Sequence, residues 1–212
     1  MRLEDIEKEM ESRSVLKHPF YKAWSEGTLE IDALRGYAKE YYHLVKHIPM
    51  MVERISMHIK SRDVEENLRD EREHIALWVR FADALGISKE ELEAYEPSSK
   101  VRDAVDRMLR LMDDPIAGIA AMYAYEAELP KVSRSKLDGL TKYYRLDSSD
   151  ATEYHRVHSI VDIKHAAVWR EILNGLKDEE HEKVYSAAVE SLMAQNLLLD
   201  GVYDRYVACN KQ

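Results

Sequence analysis

Apolar residues recur every three to four positions along most of the chain, with polar residues between them. This spacing matches the turn of an α-helix, and no segment sustains the strict alternation of a half-buried strand. Glycine, proline and serine residues punctuate the periodic stretches and mark helix ends. The pattern predicts an all-α, seven-helix bundle, with helices at about residues 3–14, 30–59, 63–85, 98–112, 115 onwards, 148–173 and 179–206.

Two prolines fall inside predicted helices, Pro49 in the second and Pro130 in the fifth. Because proline lacks a backbone N–H and its ring clashes with the preceding turn, each should bend its helix. Pro130 also leaves the carbonyl oxygen of Glu126 without its usual donor. An aromatic segment, residues 18–24, joins the first two helices and ends before Gly27.

Length and composition restrict the protein's class. The 212 residues suffice for one continuous core, and no linker or repeat divides them, so we expect a single domain over residues 1–212. The formal net charge of -9 disfavours nucleic acid and anionic membranes as partners. The lone cysteine, Cys209, cannot form an intramolecular disulfide, and no segment has the apolar length of a signal peptide or a membrane span. We therefore expect a cytoplasmic protein.

The most specific chemical pattern lies in the sixth predicted helix. His158, Asp162 and His165 are spaced i, i+4 and i+7. At ~100° per residue, their side chains fall within about 60° of one another on an ideal helix. One helical face would therefore present two imidazoles and a carboxylate to the same cavity, and this combination favours a metal site.

Other candidate ligands lie in the third and fifth predicted helices. Glu71 and His74 form a Glu-x-x-His pair, which helical bundles use to bind iron or manganese, although the spacing is common by chance. Neighbouring carboxylates in the same helix compete with Glu71 for this role. Glu126 lies in an apolar and aromatic run, where a buried carboxylate needs a cation. Glu128 is the alternative to Glu126.

Together these residues supply three histidines and three carboxylates. That set is too large for one tetrahedral zinc ion and suits two ions of higher coordination number bridged by a carboxylate. Because no thiolate is included, iron or manganese is favoured, and such redox metals indicate chemistry with dioxygen. A single helical histidine or glutamate is more often solvated than metal-bound, so the hypothesis depends on the three helices converging.

Short motifs along nearly the whole chain add a family resemblance. They are His18-Pro19-Phe20-Tyr21, Trp24-Ser25-Glu26-Gly27, Tyr37-Ala38-Lys39-Glu40-Tyr41-Tyr42, His74-Ile75-Ala76-Leu77-Trp78, Ala84-Leu85-Gly86-Ile87, Tyr123-x-Tyr125-Glu126 and the His158, Asp162 and His165 triplet. Most of them are packing motifs, and the last two are the specific ones. The chain resembles the heme-oxygenase-like di-metal oxidases, within the broader TenA- and PqqC-like group, and is most similar to CADD-like para-aminobenzoate synthases.

The resemblance implies a heme-oxygenase-like bundle that forms a homodimer. It implies two metal ions, Fe/Fe or Fe/Mn, with dioxygen and an external reductant, either a protein or a small molecule, as co-substrates. It also implies that the protein makes para-aminobenzoate for folate synthesis from its own Tyr21, with Lys136 as the amino donor, in a single turnover. The implied metal ligands are Glu71, His74, Glu126, His158, Asp162 and His165.

Three other functions remain open on the sequence. A di-metal oxidase of the same fold could act on a free small molecule, in which case Tyr21 is a core aromatic residue. A PqqC- or TenA-like enzyme would use no metal. A non-enzymatic interaction protein is the least favoured, because no docking motif is evident.

Overall fold

Helices account for nearly all of the regular structure in residues 3–209, the part of the chain that the computed structural model describes. Residues 1, 2 and 210–212 of the expected single domain lie outside it. No strand occurs within the described residues. The helices are α1 (Leu3–Ser12), α2 (Pro19–Glu26), α3 (Ile31–Val45), α4 (Ile48–Ser56), α5 (Arg62–Ala84), α6 (Lys89–Ala94), α7 (Ser99–Leu111), α8 (Pro115–Glu126), α9 (Leu129–Tyr143), α10 (Ser149–His158), α11 (Val161–Asn174) and α12 (His181–Tyr203).

Local capping chemistry explains where several helices begin. Ser98 accepts a hydrogen bond from the backbone N–H of Val101 and starts α7. Asp114 accepts from the N–H groups of Ile116 and Ala117 and starts α8, with Pro115 in the first turn. These side chains satisfy donors that have no partner within the helix. The predicted helix starts near 98 and 115 are thus confirmed.

Two predicted helices are divided close to their prolines. The second predicted helix is α3 and α4, separated just before Pro49, and the fifth is α8 and α9, separated just before Pro130. Each proline occupies the first turn of the following helix, where its missing N–H costs nothing. The expected bends are therefore complete interruptions, and two short helices, α2 and α6, are additional to the prediction.

The sixth predicted helix is also divided, and here the sequence interpretation was wrong. His158 ends α10 and Val161 begins α11, with Ser159 and Ile160 between them. The Ser159 hydroxyl donates to the Arg156 carbonyl at 2.7 Å, a bond that competes with regular helix geometry. The Ser159 carbonyl accepts from Arg134 Nη1 of α9 at 3.2 Å. His158 and Asp162 therefore do not share one continuous helical face.

The core is organised around α8, in which every residue from Ala117 to Glu126 is buried. This helix packs against α12 on one side and α11 on another, so its polar residues lie inside the bundle. Close approach of α2 and α9 depends on Gly139, because an added Cβ would lie 2.5 Å from the Trp24 ring. Within residues 3–209, no helix combines the length and apolar character needed to cross a membrane.

Candidate active site

The candidate metal ligands converge inside the bundle. Ligand atoms of Glu71, His74 and His158 all lie within 4.8 Å of one another, and the same holds for Glu71, Glu126 and His165. All five residues are buried. Glu71 belongs to both groups and can therefore contribute to two neighbouring ion positions. We refer to Glu71, His74, Glu126, His158, Asp162 and His165 as the carboxylate–histidine cluster.

Asp162 lies beside the group formed by Glu71, Glu126 and His165 but belongs to neither group of ligand atoms. Its Oδ1 is 3.4 Å from His165 Nδ1, which is also 3.7 Å from Glu71 Oε1. Asp162 is completely buried, and neither of its carboxylate oxygens has a hydrogen-bond partner among the described residues. A carboxylate buried in this way needs a cation or a proton.

Unsatisfied polar atoms in this cluster match what a metal ion requires. In addition to the Asp162 oxygens, His74 Nδ1 and His165 Nδ1 are buried without a hydrogen-bond partner in the described chain. Leaving such an atom unpaired costs about 1–3 kcal/mol. The donor set of imidazole nitrogens and carboxylate oxygens suits iron, manganese or zinc, so the residues present fit a pair of such ions.

Hydrogen bonds outside the cluster orient its imidazoles. His158 Nδ1 bonds to the Tyr154 carbonyl at 2.8 Å, which leaves Nε2 as its ligand atom. His165 does the reverse, because its Nε2 contacts Asp70 Oδ2 at 3.2 Å and leaves Nδ1 facing the cluster. Such partners fix the ring orientation and the tautomer of a metal-binding histidine.

Glu126 is held by two donors that the sequence interpretation did not identify. Trp169 Nε1 donates to Glu126 Oε2 at 2.6 Å, and Asn67 Nδ2 lies 3.3 Å from Oε1. Asn67 could have been found from spacing, since it lies four residues before Glu71 on the buried face of α5. The rival carboxylate Glu128 lies elsewhere, where it accepts hydrogen bonds from the Ser14 hydroxyl and the Val15 N–H.

Burial governs the electrostatics of the cluster. It raises the pKa of Glu126 and of Asp162 well above the usual range, and the Glu71 carboxylate adds to both shifts. Burial lowers the pKa of His158 to about 3, with a further contribution from His74. Without a cation, these groups favour their neutral forms. A divalent ion reverses this preference for the carboxyl groups.

Glu71 behaves differently from the other two carboxyl groups. Burial again raises its pKa, but His74, His158 and His165 together outweigh burial and bring the pKa below its usual value. Its pKa favours the carboxylate form, surrounded by three imidazoles. From the sequence alone, other carboxylates of the same helix were equally possible ligands. In the structure Glu71 lies between the two groups of ligand atoms.

A second buried group of residues contains the two other candidates, Tyr21 and Lys136. Lys136 Nζ donates to the Tyr37 hydroxyl at 2.5 Å, and the hydroxyl oxygens of Tyr37 and Tyr21 are 3.0 Å apart. Lys136 Nζ also lies 4.9 Å from the ring centroid of Tyr21 and 5.0 Å from that of Tyr41. We call Tyr21, Tyr37, Tyr41 and Lys136 the tyrosine–lysine cluster. Tyr37, interpreted from sequence as packing, links the other two.

Burial also alters the acid–base properties of this cluster. It lowers the pKa of Lys136 to about 7, because the charged ammonium loses its hydration. It raises the pKa of Tyr41 to about 12 and those of Tyr21 and Tyr37 well above the usual range. Near neutral pH, a large fraction of Lys136 is therefore a neutral amine among protonated phenols.

Aromatic rings in contact with one another connect the two clusters. The Tyr154 ring stacks on His158 with centroids 4.0 Å apart, and its centroid lies 4.7 Å from that of Trp78. Trp78 in turn stacks on Tyr41 at 5.1 Å, and Tyr41 lies 5.1 Å from Tyr37. Successive rings in close contact provide a continuous path of oxidisable side chains from a candidate metal ligand to the Tyr37 hydroxyl.

Comparison with known proteins gives consistent matches over nearly the whole chain. The 4-aminobenzoate synthase of Chlamydia trachomatis serovar D is 33% identical over 220 residues, which cover 98% of this chain and 94% of that protein. The 4-aminobenzoate synthase of Chlamydia pneumoniae is 38% identical over 191 residues, 84% of each chain.

Structural comparison confirms the expected fold. A domain of unknown function with a heme oxygenase-like fold from Shewanella denitrificans superposes with a TM-score of 0.81 at 17% identity, covering 96% of this chain and 90% of that one. At sequence level, the model of the TENA/THI-4/PQQC family matches residues 2–204. With all but the ends of the bundle matched in sequence and its architecture matched in structure, the chain belongs to the TENA/THI-4/PQQC family.

Proposed function

We propose that this protein is a 4-aminobenzoate synthase that consumes its own Tyr21 and takes the amino group from Lys136. Two relatives that are more than 30% identical carry this activity in their names. The observation that carries the residue assignment is the hydrogen-bonded chain from Lys136 Nζ through the Tyr37 hydroxyl to the Tyr21 hydroxyl. The proposed amino donor and the phenol that it would modify thus share one buried cluster.

The atoms of the product can be traced to these two side chains. The ring carbons and Cβ of a tyrosine provide the carbon skeleton of 4-aminobenzoate. Cleavage of the bond between Cα and Cβ of Tyr21 releases that skeleton, and Cβ becomes the carboxylate carbon by oxidation. The phenol oxygen leaves as water and is replaced by Nζ of Lys136. Release of the product also requires that the Nζ–Cε bond of Lys136 is broken, with oxidation of Cε to an aldehyde and dioxygen as the oxidant. Because residue 21 is destroyed, each chain reacts once.

The carboxylate–histidine cluster would hold the two metal ions, as Fe/Fe or Fe/Mn. When bound, the ions would supply oxidising equivalents from dioxygen, with electrons from an external reductant. The unsatisfied nitrogens of His74 and His165 and the oxygens of Asp162 support this assignment, because they accept no hydrogen bond from residues 3–209. Anomalous scattering at the iron and manganese edges tests both the identity of the ions and their positions.

The aromatic path accounts for how oxidation at one cluster can reach the other. Tyr154, Trp78 and Tyr41 are oxidisable rings in successive contact. Oxidation of a phenol requires loss of its hydroxyl proton, and the raised pKa values of Tyr41 and Tyr37 keep that proton in place until then. The lowered pKa of Lys136 provides an amine lone pair for C–N bond formation.

Isotope labelling tests the proposal directly. Protein grown with ring-labelled tyrosine and ε-15N-lysine is treated with iron, a reductant and dioxygen, and the released small molecules are analysed by mass spectrometry. We expect 4-aminobenzoate that carries both labels, at no more than one molecule per chain. A product without the lysine nitrogen would exclude Lys136 as the donor, and no product in fully metal-loaded protein would contradict the proposed activity.

One feature favours a second function of the same fold, a di-metal oxidase that acts on a free small molecule. An open groove of about 1010 Å³ has Asp162 among its lining residues, and it is large enough to admit such a substrate. Under this alternative, Tyr21 survives the reaction unchanged. The state of residue 21 after a full reaction therefore distinguishes the two functions.

A further inference from the structure

The groove that Asp162 helps to line also includes Glu128, which lines a second cavity beside Tyr21 and Tyr41. It lies among α1, α2, α8, α9 and α11 and is lined by apolar side chains such as Met10, Leu16 and Ala166. Its volume of about 1010 Å³ is at the upper end of sites that bind small organic molecules. An apolar surface of this size suits a flat aromatic ring.

Glu128 separates the groove from the interior. Its side chain lines the groove on one side and, on the other, a cavity of about 20 Å³ lined also by Tyr21, Tyr41 and Tyr125. The Ser14 hydroxyl donates to Glu128 Oε1, and the Val15 N–H donates to Oε2 at 3.3 Å. These bonds hold in place the side chain that lines both the groove and the cavity beside Tyr21 and Tyr41.

More basic than acidic residues line the groove, although the chain as a whole has a formal net charge of -9. The acidic lining residues are Glu7, Glu11, Glu128 and Asp162. Arg170 pairs with Glu7 at 3.0 Å, and Arg134 donates to the Ser159 carbonyl. Lys22 and Lys131 are exposed and form no ion pair with any residue in the described part of the chain. The cationic residues that line the groove are Lys17, Lys22, Lys131, Arg134 and Arg170.

We propose that this groove is a binding site for an aromatic carboxylate. The ligand is 4-aminobenzoate, which enters the groove as it leaves the interior past Glu128. The site rests on the proposed function for the identity of its ligand. The ring lies on the apolar surface, and the carboxylate is bound by Lys22 and Lys131. Local positive charge is needed here because the net charge of the chain otherwise opposes the approach or retention of an anion.

Equilibrium binding to the full chain tests this site without any catalytic step. The probes are 4-aminobenzoate and its uncharged analogue 4-aminobenzamide, followed by calorimetry. We expect the carboxylate to bind at least about tenfold more tightly than the amide. In the double variant Lys22→Gln and Lys131→Gln, the carboxylate should lose about tenfold in affinity while the amide is unaffected. Lys142→Gln, an exposed lysine of α9 outside the groove, should bind both probes like the unaltered protein.

Equal affinities for the two probes would overturn the proposed site, as would unaltered carboxylate binding in the double variant. Failure of the site and failure of the function can be distinguished. If the protein makes 4-aminobenzoate but the double variant binds it normally, the site is wrong and the function stands. If no 4-aminobenzoate forms but lysine-dependent binding is observed, the function is wrong and the groove remains a site for aromatic carboxylates.

Discussion

The carboxylate–histidine cluster and the tyrosine–lysine cluster are both buried, but their polar atoms are satisfied differently. In the first, His74 Nδ1, His165 Nδ1 and both oxygens of Asp162 lack a hydrogen-bond partner among the described residues. In the second, Lys136 bonds to Tyr37, which bonds to Tyr21. The first cluster thus leaves ligand atoms available to an added cation, whereas the hydroxyl and amine groups of the second pair with one another.

The difference indicates that the two clusters contribute separable properties. Changes in the first should reduce metal content and product together, because on the proposed function the bound metal ions would supply the oxidising equivalents. Changes in the second should reduce product and leave metal content intact. Each variant below is therefore measured in two ways, as metal ions per chain by mass spectrometry and as 4-aminobenzoate per chain.

Replacing the proposed amino donor should have the largest effect on product. Lys136→Met keeps the length and apolar stem of the side chain but removes the nitrogen. We expect no 4-aminobenzoate, unchanged metal content and a thermal stability equal to or above that of the unaltered protein, since a buried amine is removed. Lys142→Met, an exposed change in the same helix, should leave both measurements unaltered. Normal product from Lys136→Met would exclude this residue as the donor.

Replacing the shared carboxylate should disrupt the first cluster. Glu71→Gln keeps the shape of the side chain but removes the charge that both metal positions use. We expect metal affinity to fall by about 100-fold, with product falling in parallel. The matched control is Glu73→Gln, two residues away on the exposed face of α5, which should retain full metal content. Equal losses in the two variants would show that Glu71 has no special role.

Removing one hydroxyl should weaken the second cluster without affecting the first. Tyr37→Phe breaks the hydrogen-bonded link between Lys136 and Tyr21 but preserves the ring and its stacking. The loss of these two bonds predicts that product forms at least about tenfold more slowly, with metal content unchanged. Tyr42→Phe in the same helix is the control. A fall in metal content in Tyr37→Phe would mean that the two clusters are not separable.

The pH dependence of product formation should follow the protonation of Lys136. Its pKa is lowered to about 7 by burial, and only the neutral amine has a lone pair for C–N bond formation. Between pH 6 and pH 8, the rate should rise about tenfold as the neutral fraction grows, and it should level off above pH 8. Rate constants are compared only at pH values where metal content is equal. A rate that falls from pH 6 to pH 8 would contradict this assignment.

A smaller effect on metal affinity than that of Glu71→Gln should come from a partner outside the first cluster. Asp70 contacts Nε2 of His165 and helps to direct Nδ1 towards Glu71 and Asp162. Asp70→Asn should reduce metal affinity by about tenfold, which is the lower end of the range for partners of metal-binding histidines. The control is Asp63→Asn, an exposed change in the same helix, which should have no effect on metal affinity. Unaltered affinity in Asp70→Asn would indicate that His165 does not need this contact.

The sequence predicted most helices well because their boundaries depend on local chemistry. Apolar spacing, proline positions and capping residues such as Ser98 and Asp114 act within a few residues of one another. The break between α10 and α11 could not be predicted in this way. At this break Arg134 of α9 donates a hydrogen bond to the Ser159 carbonyl. The spacing of residues along α10 and α11 contains no information about that contact.

In the candidate site, too, the sequence indicated the residues but not the contacts between helices. Composition and spacing indicated all six members of the carboxylate–histidine cluster, but they could not show that Glu71 belongs to both groups of ligand atoms. The buried face of α5, which includes Asn67, Glu71, His74 and Trp78, contains the signal that would have singled out Glu71. No local signal identified Tyr37 as the link between Tyr21 and Lys136, because that role depends on three helices meeting.

The central claim is that residue 21 is the substrate, and peptide mass analysis of the reacted protein tests it most directly. Trypsin releases residues 18–22 as one peptide, so the fate of Tyr21 can be followed separately from the other tyrosines. After reaction of the metal-loaded protein with reductant and dioxygen, we predict that intact 18–22 peptide is lost in proportion to the 4-aminobenzoate released. Recovery of the unmodified peptide in full, alongside stoichiometric product, would contradict the proposal.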